Sequence, residues 1–286
     1  MNKNIGFGNL PEPYKDEKRA SIAVLPVPYD GTSTWIKGSD KGPLALMEAS
    51  QVVELYDIET GIEVYKQGIF TCPMLKTDPS PEKMVLDVEK AVAALLKAGK
   101  LVVMVGGEHS ITSGAVKAHK DVYKDLSVLQ LDAHSDLREE YKGSRFNHGC
   151  AIARVKDICP AVQVGIRSMG AEEKGSFDPR NMFFAEDIVM GYDWIGRAID
   201  RLTDNVYVTI DLDVFDPSIM SSTGTPEPGG LDWYQVISLL KALTEKKKVV
   251  GFDVVELCPT PVNKAPDFMA AKLIYKFLTH IYVNKK

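Results

Sequence analysis

The stretch SVLQLDAHSD, Ser127–Asp136, passes within a few residues from an apolar, β-favouring run to Asp132, His134 and Asp136. Side chains two apart in an extended segment point to one side. Three potential metal ligands therefore leave one strand end in one direction. Unpaired charge is costly in a dry interior, so a fold that gathers these groups needs a cation to balance them.

Other apolar runs end in the same way. LVVMV stops at Gly106-Gly107-Glu108-His109, NVYVTI at Asp211-Leu212-Asp213, and KVVGFDVVE at a cluster spanning Asp253 to Glu256. His148 lies in the loop after Asp136. Only five histidines occur, and His109, His134 and His148 all fall in these clusters, whereas His119 and His280 lie on expected helices. Any one cluster has an ordinary explanation: an Asp-x-Asp caps turns, and Gly-Gly makes a strand-to-helix turn. Their joint occurrence at strand ends points to metal. Four Asp with two His suit manganese, iron or zinc. A single zinc would need about three protein ligands, so this set is large enough for two divalent ions with shared ligands.

The pattern along the chain is strand, helix, strand. Strands are expected at Ser21–Val27, Leu101–Val105, in the Val128–Leu131 run of SVLQLDAHSD, in AVQVGI, in MFFAEDI, in NVYVTI and in KVVGFDVVE. Helices are expected from Pro43, over Pro81–Lys100 with a stop at Gly99, to about Lys120, in HGCAIARVKDI, and over Asp193–Leu202, Leu231–Lys246 and Pro266–His280. Residues 52–76 read as short, irregular edge strands. Residues 1–20 read as a polar N-terminal arm that wraps or frays, and 21–286 as the catalytic domain. Wholly apolar strands alternating with helices imply a single three-layer α/β/α domain with a mainly parallel sheet. Sites in such sheets form beyond the carboxyl ends of the strands, where these clusters fall.

Composition narrows the function. At 45% hydrophobic and 26% charged residues, with net charge -5, nothing favours nucleic-acid or anionic-membrane binding. No run is long enough to span a bilayer and no leader is evident. Four scattered cysteines, Cys72, Cys150, Cys159 and Cys258, read as reduced thiols of a cytoplasmic protein.

The motifs GGEHS, DAHSD with a following HG, and IDLDVFDPSIMSSTGTPEPGGL resemble the manganese-site signatures of the ureohydrolases, the arginase and agmatinase family. VPYDGTSTWIKGSDKGPLALMEAS resembles that family's first strand and loop, and the likeness runs over roughly residues 20 to 283. The resemblance implies an arginase-like fold and two Mn2+ per chain. It implies that His109, Asp132, Asp136 and Asp211 hold one ion and Asp132, His134, Asp211 and Asp213 the other. His148 would be the acid/base histidine and Glu256 the partner of a small cationic guanidino substrate. A homotrimer or homohexamer is also implied. One departure is local: Glu256 is followed by Leu257-Cys258-Pro259, where many members have Asn before the Pro.

The expected reaction is hydrolysis of a guanidino compound to urea and an amine. A pair of divalent ions about 3.5–4 Å apart turns water into a nucleophile at neutral pH. Asp136 is the candidate to relay a proton to the leaving amine, and His148 to exchange protons with solvent. Agmatine is the expected substrate. Where arginases carry an Asn two residues past the last Asp of the motif, this chain has Arg138, followed by Glu139 and Glu140. Acids in the Leu137–Asn147 loop would favour a bare ammonium, whereas Arg138 or Arg145 turned inward would favour guanidinobutyrate or guanidinopropionate. Arginase and formiminoglutamase activities are further alternatives within the family. Outside it stand a mononuclear zinc amidohydrolase of the deacetylase type and a non-enzymatic metal-dependent assembly protein.

Overall fold

The computed structural model describes residues 5–191 and 193–284. Eight strands form one parallel sheet in the order β2-β1-β3-β8-β7-β4-β5-β6. They are β1 (Ile22–Val27), β2 (Ile69–Thr71), β3 (Leu101–Gly106), β4 (Leu126–Leu131), β5 (Ala161–Ile166), β6 (Met182–Phe184), β7 (Asn205–Asp211) and β8 (Lys248–Val255). Helices cover both faces: α1 (Gly42–Ser50), α2 (Pro81–Lys97), α3 (Thr112–Val122), α4 (Ala151–Lys156), α5 (Ala185–Met190), α6 (Trp194–Asp200), α7 (Trp233–Lys246) and α8 (Ala265–Val283). Two apolar clusters, one on each side of the sheet, form the core. That is the expected α/β/α architecture. Among the described residues no helix is long and apolar enough to cross a membrane.

Local chemistry sets the element ends. In α2, the Ser80 side chain accepts from Lys83 N at 3.3 Å and Pro81 opens the first turn. Met84, Val85, Val88 and Val92 form its buried stripe. Gly99, at φ 75, closes it in the left-handed conformation that glycine adopts freely. A reciprocal cap opens α7: Asp232 Oδ1 accepts from Gln235 N, and Gln235 Oε1 accepts from Asp232 N, both at 2.8 Å.

Several expectations are corrected. MFFAEDI is a strand only over Met182–Phe184, and its acidic second half opens α5, where Glu186 and Asp187 suit a helix N-terminus. Within residues 52–76 the only strand is β2, preceded by an isolated Asp57–Ile62 bridge and a short 3-10 turn at Val64–Gln67. Residues 5–20 form no helix or strand, yet Phe7 and Leu10 are buried in the core and Phe7 N donates to Thr71 Oγ1 at 2.7 Å. This part of the arm wraps rather than frays; residues 1–4 lie outside the described residues. All four cysteines are free thiols.

The irregular segment before β2 is tied down by charge. Lys276 of α8 donates to Asp57 Oδ1 at 3.1 Å and Oδ2 at 2.8 Å, and lies 2.7 Å from Glu59 Oε2. Burial opposes ionisation of Asp57, but Lys276 and the Thr60 donors outweigh it and hold its carboxyl below the usual range. A carboxylate with a depressed folded pKa stabilises fully above its unfolded value and loses that contribution as pH falls through the folded value. Asp57→Asn should therefore cost about 2 kcal/mol at pH 7, less than the few kcal/mol of a fully buried pair because its partner Lys276, shared with the exposed Glu59, is only partly shielded from water. The difference from wild type should shrink as pH falls below about 4, measured by urea unfolding.

Candidate metal centre

The four strands whose ends carry the chemistry are neighbours. β3, β8, β7 and β4 occupy the middle of the sheet, so His109, Glu256, Asp211 and Asp132 emerge side by side at its carboxyl edge. β3 can turn here because Gly107 has no side chain: a Cβ would lie 2.0 Å from the Tyr29 carbonyl oxygen. Glu108 N donates to that oxygen at 2.8 Å, and Gly107 N to Val27 O at 2.9 Å.

His109 Nδ1 lies 3.1 Å from Asp132 Oδ2, 3.2 Å from Asp136 Oδ2 and 3.4 Å from Asp211 Oδ2. His134 Nδ1 lies 2.8 Å from Asp213 Oδ2 and 3.7 Å from Asp132 Oδ1. Two groups of ligand atoms therefore converge: His109, Asp132 and Asp211; and Asp132, His134 and Asp213. Asp132 is common to both and offers a different oxygen to each side. The second contact expected of Asp211 is not among these groups. His109 is buried, while His134 is 24% exposed, so the second group lies nearer solvent.

Electrostatics show why this arrangement wants a cation. Burial, with the charges of Asp213 and Asp132, pushes Asp211 well above the usual carboxylate range. Burial and Asp132 together move Asp136 up to about 6. Asp213 is raised for the same reasons. Buried His109 Nδ1 makes no hydrogen bond although it faces three carboxylates. This buried, unpartnered ring nitrogen and the carboxylate-imidazole donor set fit hard or borderline divalent metals.

Glu256 follows β8 with φ 65, and Asp136 has φ 51. Two of the four non-glycine residues with positive φ among the described residues thus stand at this site, a strain that surrounding contacts must hold. Glu256 N donates to Gly107 O at 2.7 Å, and Glu256 Oε1 accepts from His109 N at 2.8 Å. That carboxyl lies 3.8 Å from His148 Nδ1, and burial with Glu108 nearby raises its pKa well above normal. His148 is placed by the loop after β1: its N–H donates to Thr32 Oγ1 at 2.9 Å and its Nε2 meets Thr34 Oγ1 at 3.2 Å. Burial, and the nearby positive histidines, lower His148 to about 4, not the near-neutral value expected of a free imidazole. It is neutral at pH 7.

Other expectations change. Asp253 is not at a strand end; it is buried within β8, where it accepts from the Tyr207, Thr209 and Thr112 hydroxyls. Arg138 turns to Glu172 at 2.8 Å and over the Tyr141 ring, and Arg145 reaches Glu139 and Asp157. Glu139 is held by Arg154 at 2.7 Å, so it is not the acid awaiting an ammonium. The acid that borders the ligands is Glu227, whose Oε1 lies 3.8 Å from His134 Nε2.

Three residues had no assigned role in the sequence reading. Glu227 sits within the third motif. Glu108, beside His109, accepts from Thr32 and Ser110 and so anchors the loop that holds His148. Arg167 donates to the carbonyls of Asp213 at 2.6 Å and Glu227 at 2.9 Å, tying the segment after β7 to the end of β5. The strand run AVQVGI ending on Arg167 was a signal of the same kind as the others.

The arginase family model matches residues 20–280. An N(1)-aminopropylagmatine ureohydrolase of Synechocystis sp. is 38% identical over 91% of this chain and 88% of its own length. An agmatinase of Pyrococcus horikoshii is 34% identical over 92% and 93%. The crystal structure of agmatine ureohydrolase of Thermoplasma volcanium superposes with a TM-score of 0.87 at 33% identity, covering 99% of this chain and 95% of that one. With a parallel sheet of this topology and a carboxylate-imidazole cluster on its central strand ends, the chain belongs to the arginase family.

Proposed function

We propose that this ureohydrolase acts on a linear guanidino compound with an amine at its far end, agmatine in the first instance, giving putrescine and urea. The observation that carries the reading is Glu256: a buried carboxylate beside both His109 and His148, with no lysine or arginine ion-paired to it among the described residues. A guanidinium placed there gains charge-assisted hydrogen bonds.

His109, Asp132, Asp136 and Asp211 would hold one divalent ion and Asp132, His134, Asp211 and Asp213 a second, manganese by family likeness. When bound, such ions activate water for attack on the guanidinium carbon. Glu256 orients that carbon. Asp136, whose carboxylate stands 3.2 Å from His109 Nδ1, is suited to pass a proton toward the leaving amine. His148, neutral and tied to Thr34, is placed to shuttle protons between solvent and the departing amine. Arg138 and Arg145 are occupied elsewhere, which removes the best partners for a substrate carboxylate, while Glu227 supplies negative charge on the exposed side. A second reading, N1-aminopropylagmatine, is favoured by the names of relatives at 38% and 37% identity.

Asp211→Ala should lose both ions and urea release, whereas His109→Ala should lose mainly one ion; elemental analysis that still finds the full complement in Asp211→Ala would refute the ligand set. Glu256→Gln keeps the size of the side chain but not its charge. It should take up metal normally and lose at least about 10²-fold in kcat/KM, about 2.7 kcal/mol of transition-state binding. Urea release from agmatine, N1-aminopropylagmatine, arginine and guanidinobutyrate tests the substrate. Both amine-tailed compounds should exceed the two acids by about 10²-fold in kcat/KM, and their ratio assigns the tail length. Arginine or guanidinobutyrate matching agmatine would overturn the proposal.

A further inference from the structure

Beneath the ligands, the central strands carry a row of buried polar side chains. Asp253 of β8 pairs in register with Thr209 of β7, Thr209 with Gln130 of β4, and Gln130 with Gln163 of β5. Thr209 and Gln130 precede Asp211 and Asp132 by two, so they share the face of those ligands, one pleat deeper. Asp253, Thr209 and Gln130 are fully buried and Gln163 is 4% exposed. None belongs to the proposed ligand set. Four buried polar groups in mid-sheet are costly unless each is satisfied.

We propose that this row is a positioning layer that presets His109 and Asp132 for metal; the proposal rests on the metal-dependent reading above. Asp253 accepts from Thr209 Oγ1 at 2.6 Å, Tyr207 OH at 2.8 Å and Thr112 Oγ1 at 3.0 Å. With its hydroxyl hydrogen directed to Asp253, Thr209 presents a lone pair to His109 Nε2, 2.8 Å away. Nε2 therefore carries a ring hydrogen, which leaves Nδ1, facing Asp132, Asp136 and Asp211, as the ring nitrogen open to a metal. The other half of the row acts on Asp132. Gln163 Nε2 donates to Gln130 Oε1 at 2.6 Å and to Ser135 O at 2.8 Å. That fixes the Gln130 amide so that its Nε2 donates to Asp132 Oδ2 at 2.7 Å and to His134 O at 3.2 Å. The row thus holds a ring on one side and a shared carboxylate on the other through interactions that do not require the ion. Partners of this kind typically govern metal affinity by about 10–100-fold.

The test is Mn2+ titration of metal-free protein by calorimetry, with circular dichroism to check the fold. Thr209→Val is nearly isosteric and removes the acceptor for His109. It should weaken one of the two ions by about 10–100-fold and leave the other within a few-fold, while Thr209→Ser should restore wild-type affinity. Gln130→Met should weaken both ions, because Asp132 belongs to both ligand groups. If Thr209→Val does not fold, Gln163→Met reports instead: it frees the Gln130 amide from a distance and should cost about 10-fold in affinity. Wild-type affinity for both ions in Thr209→Val, or in Gln163→Met where that variant decides, overturns the layer. A folded Thr209→Ser that fails to restore binding does the same. Wild-type protein that binds two Mn2+ yet releases no urea defeats the functional reading and leaves the layer standing.

Discussion

Like charges crowded at the end of a parallel sheet are the constraint on which this structure turns. Asp132, Asp136, Asp211 and Asp213 are all buried, and burial and mutual repulsion raise three of them above the usual carboxylate range. Histidines relieve part of this, since His109 and His134 face the carboxylates at 3.4 Å or less. Divalent cations would relieve it more completely and turn an electrostatic cost into a source of reactivity. The apolar helices on either face keep water away, which makes each of these interactions stronger than it would be at the surface.

The fold is the means of holding such a set together. Strand order places β3, β8, β7 and β4 side by side, so each chain segment contributes one or a few groups to a common edge. Strain at Glu256 and Asp136 is tolerated because their neighbours fix them: Glu256 through Gly107 O and His109 N, Asp136 through its carbonyl, which accepts from Ile152 and Ala153. Glu108 and Arg167 do equivalent work on the two loops that overhang the site.

What could be read in the sequence was local. The period of a strand places Asp132, His134 and Asp136 together without any tertiary knowledge, and wholly apolar runs imply a sheet covered on both faces. The adjacency of β8 to both β3 and β7 was not legible, because it comes from crossovers spanning much of the chain. Asp253 was placed at a strand end because it stands three residues before Glu256 in the same run; only the sheet register shows it one level down, against Thr209. Glu139 was misassigned because its partner Arg154 lies on the following helix, a contact that composition does not reveal. The acidic half of MFFAEDI was read as strand although its charges suit a helix start.

The central claim is that these four strand ends form one centre for two ions. Low-temperature electron paramagnetic resonance of Mn2+-reconstituted protein, with elemental analysis of the same sample, tests it most directly. The account predicts about two ions per chain and the spectrum of a spin-coupled pair. One ion per chain with the spectrum of an isolated Mn2+ would contradict it.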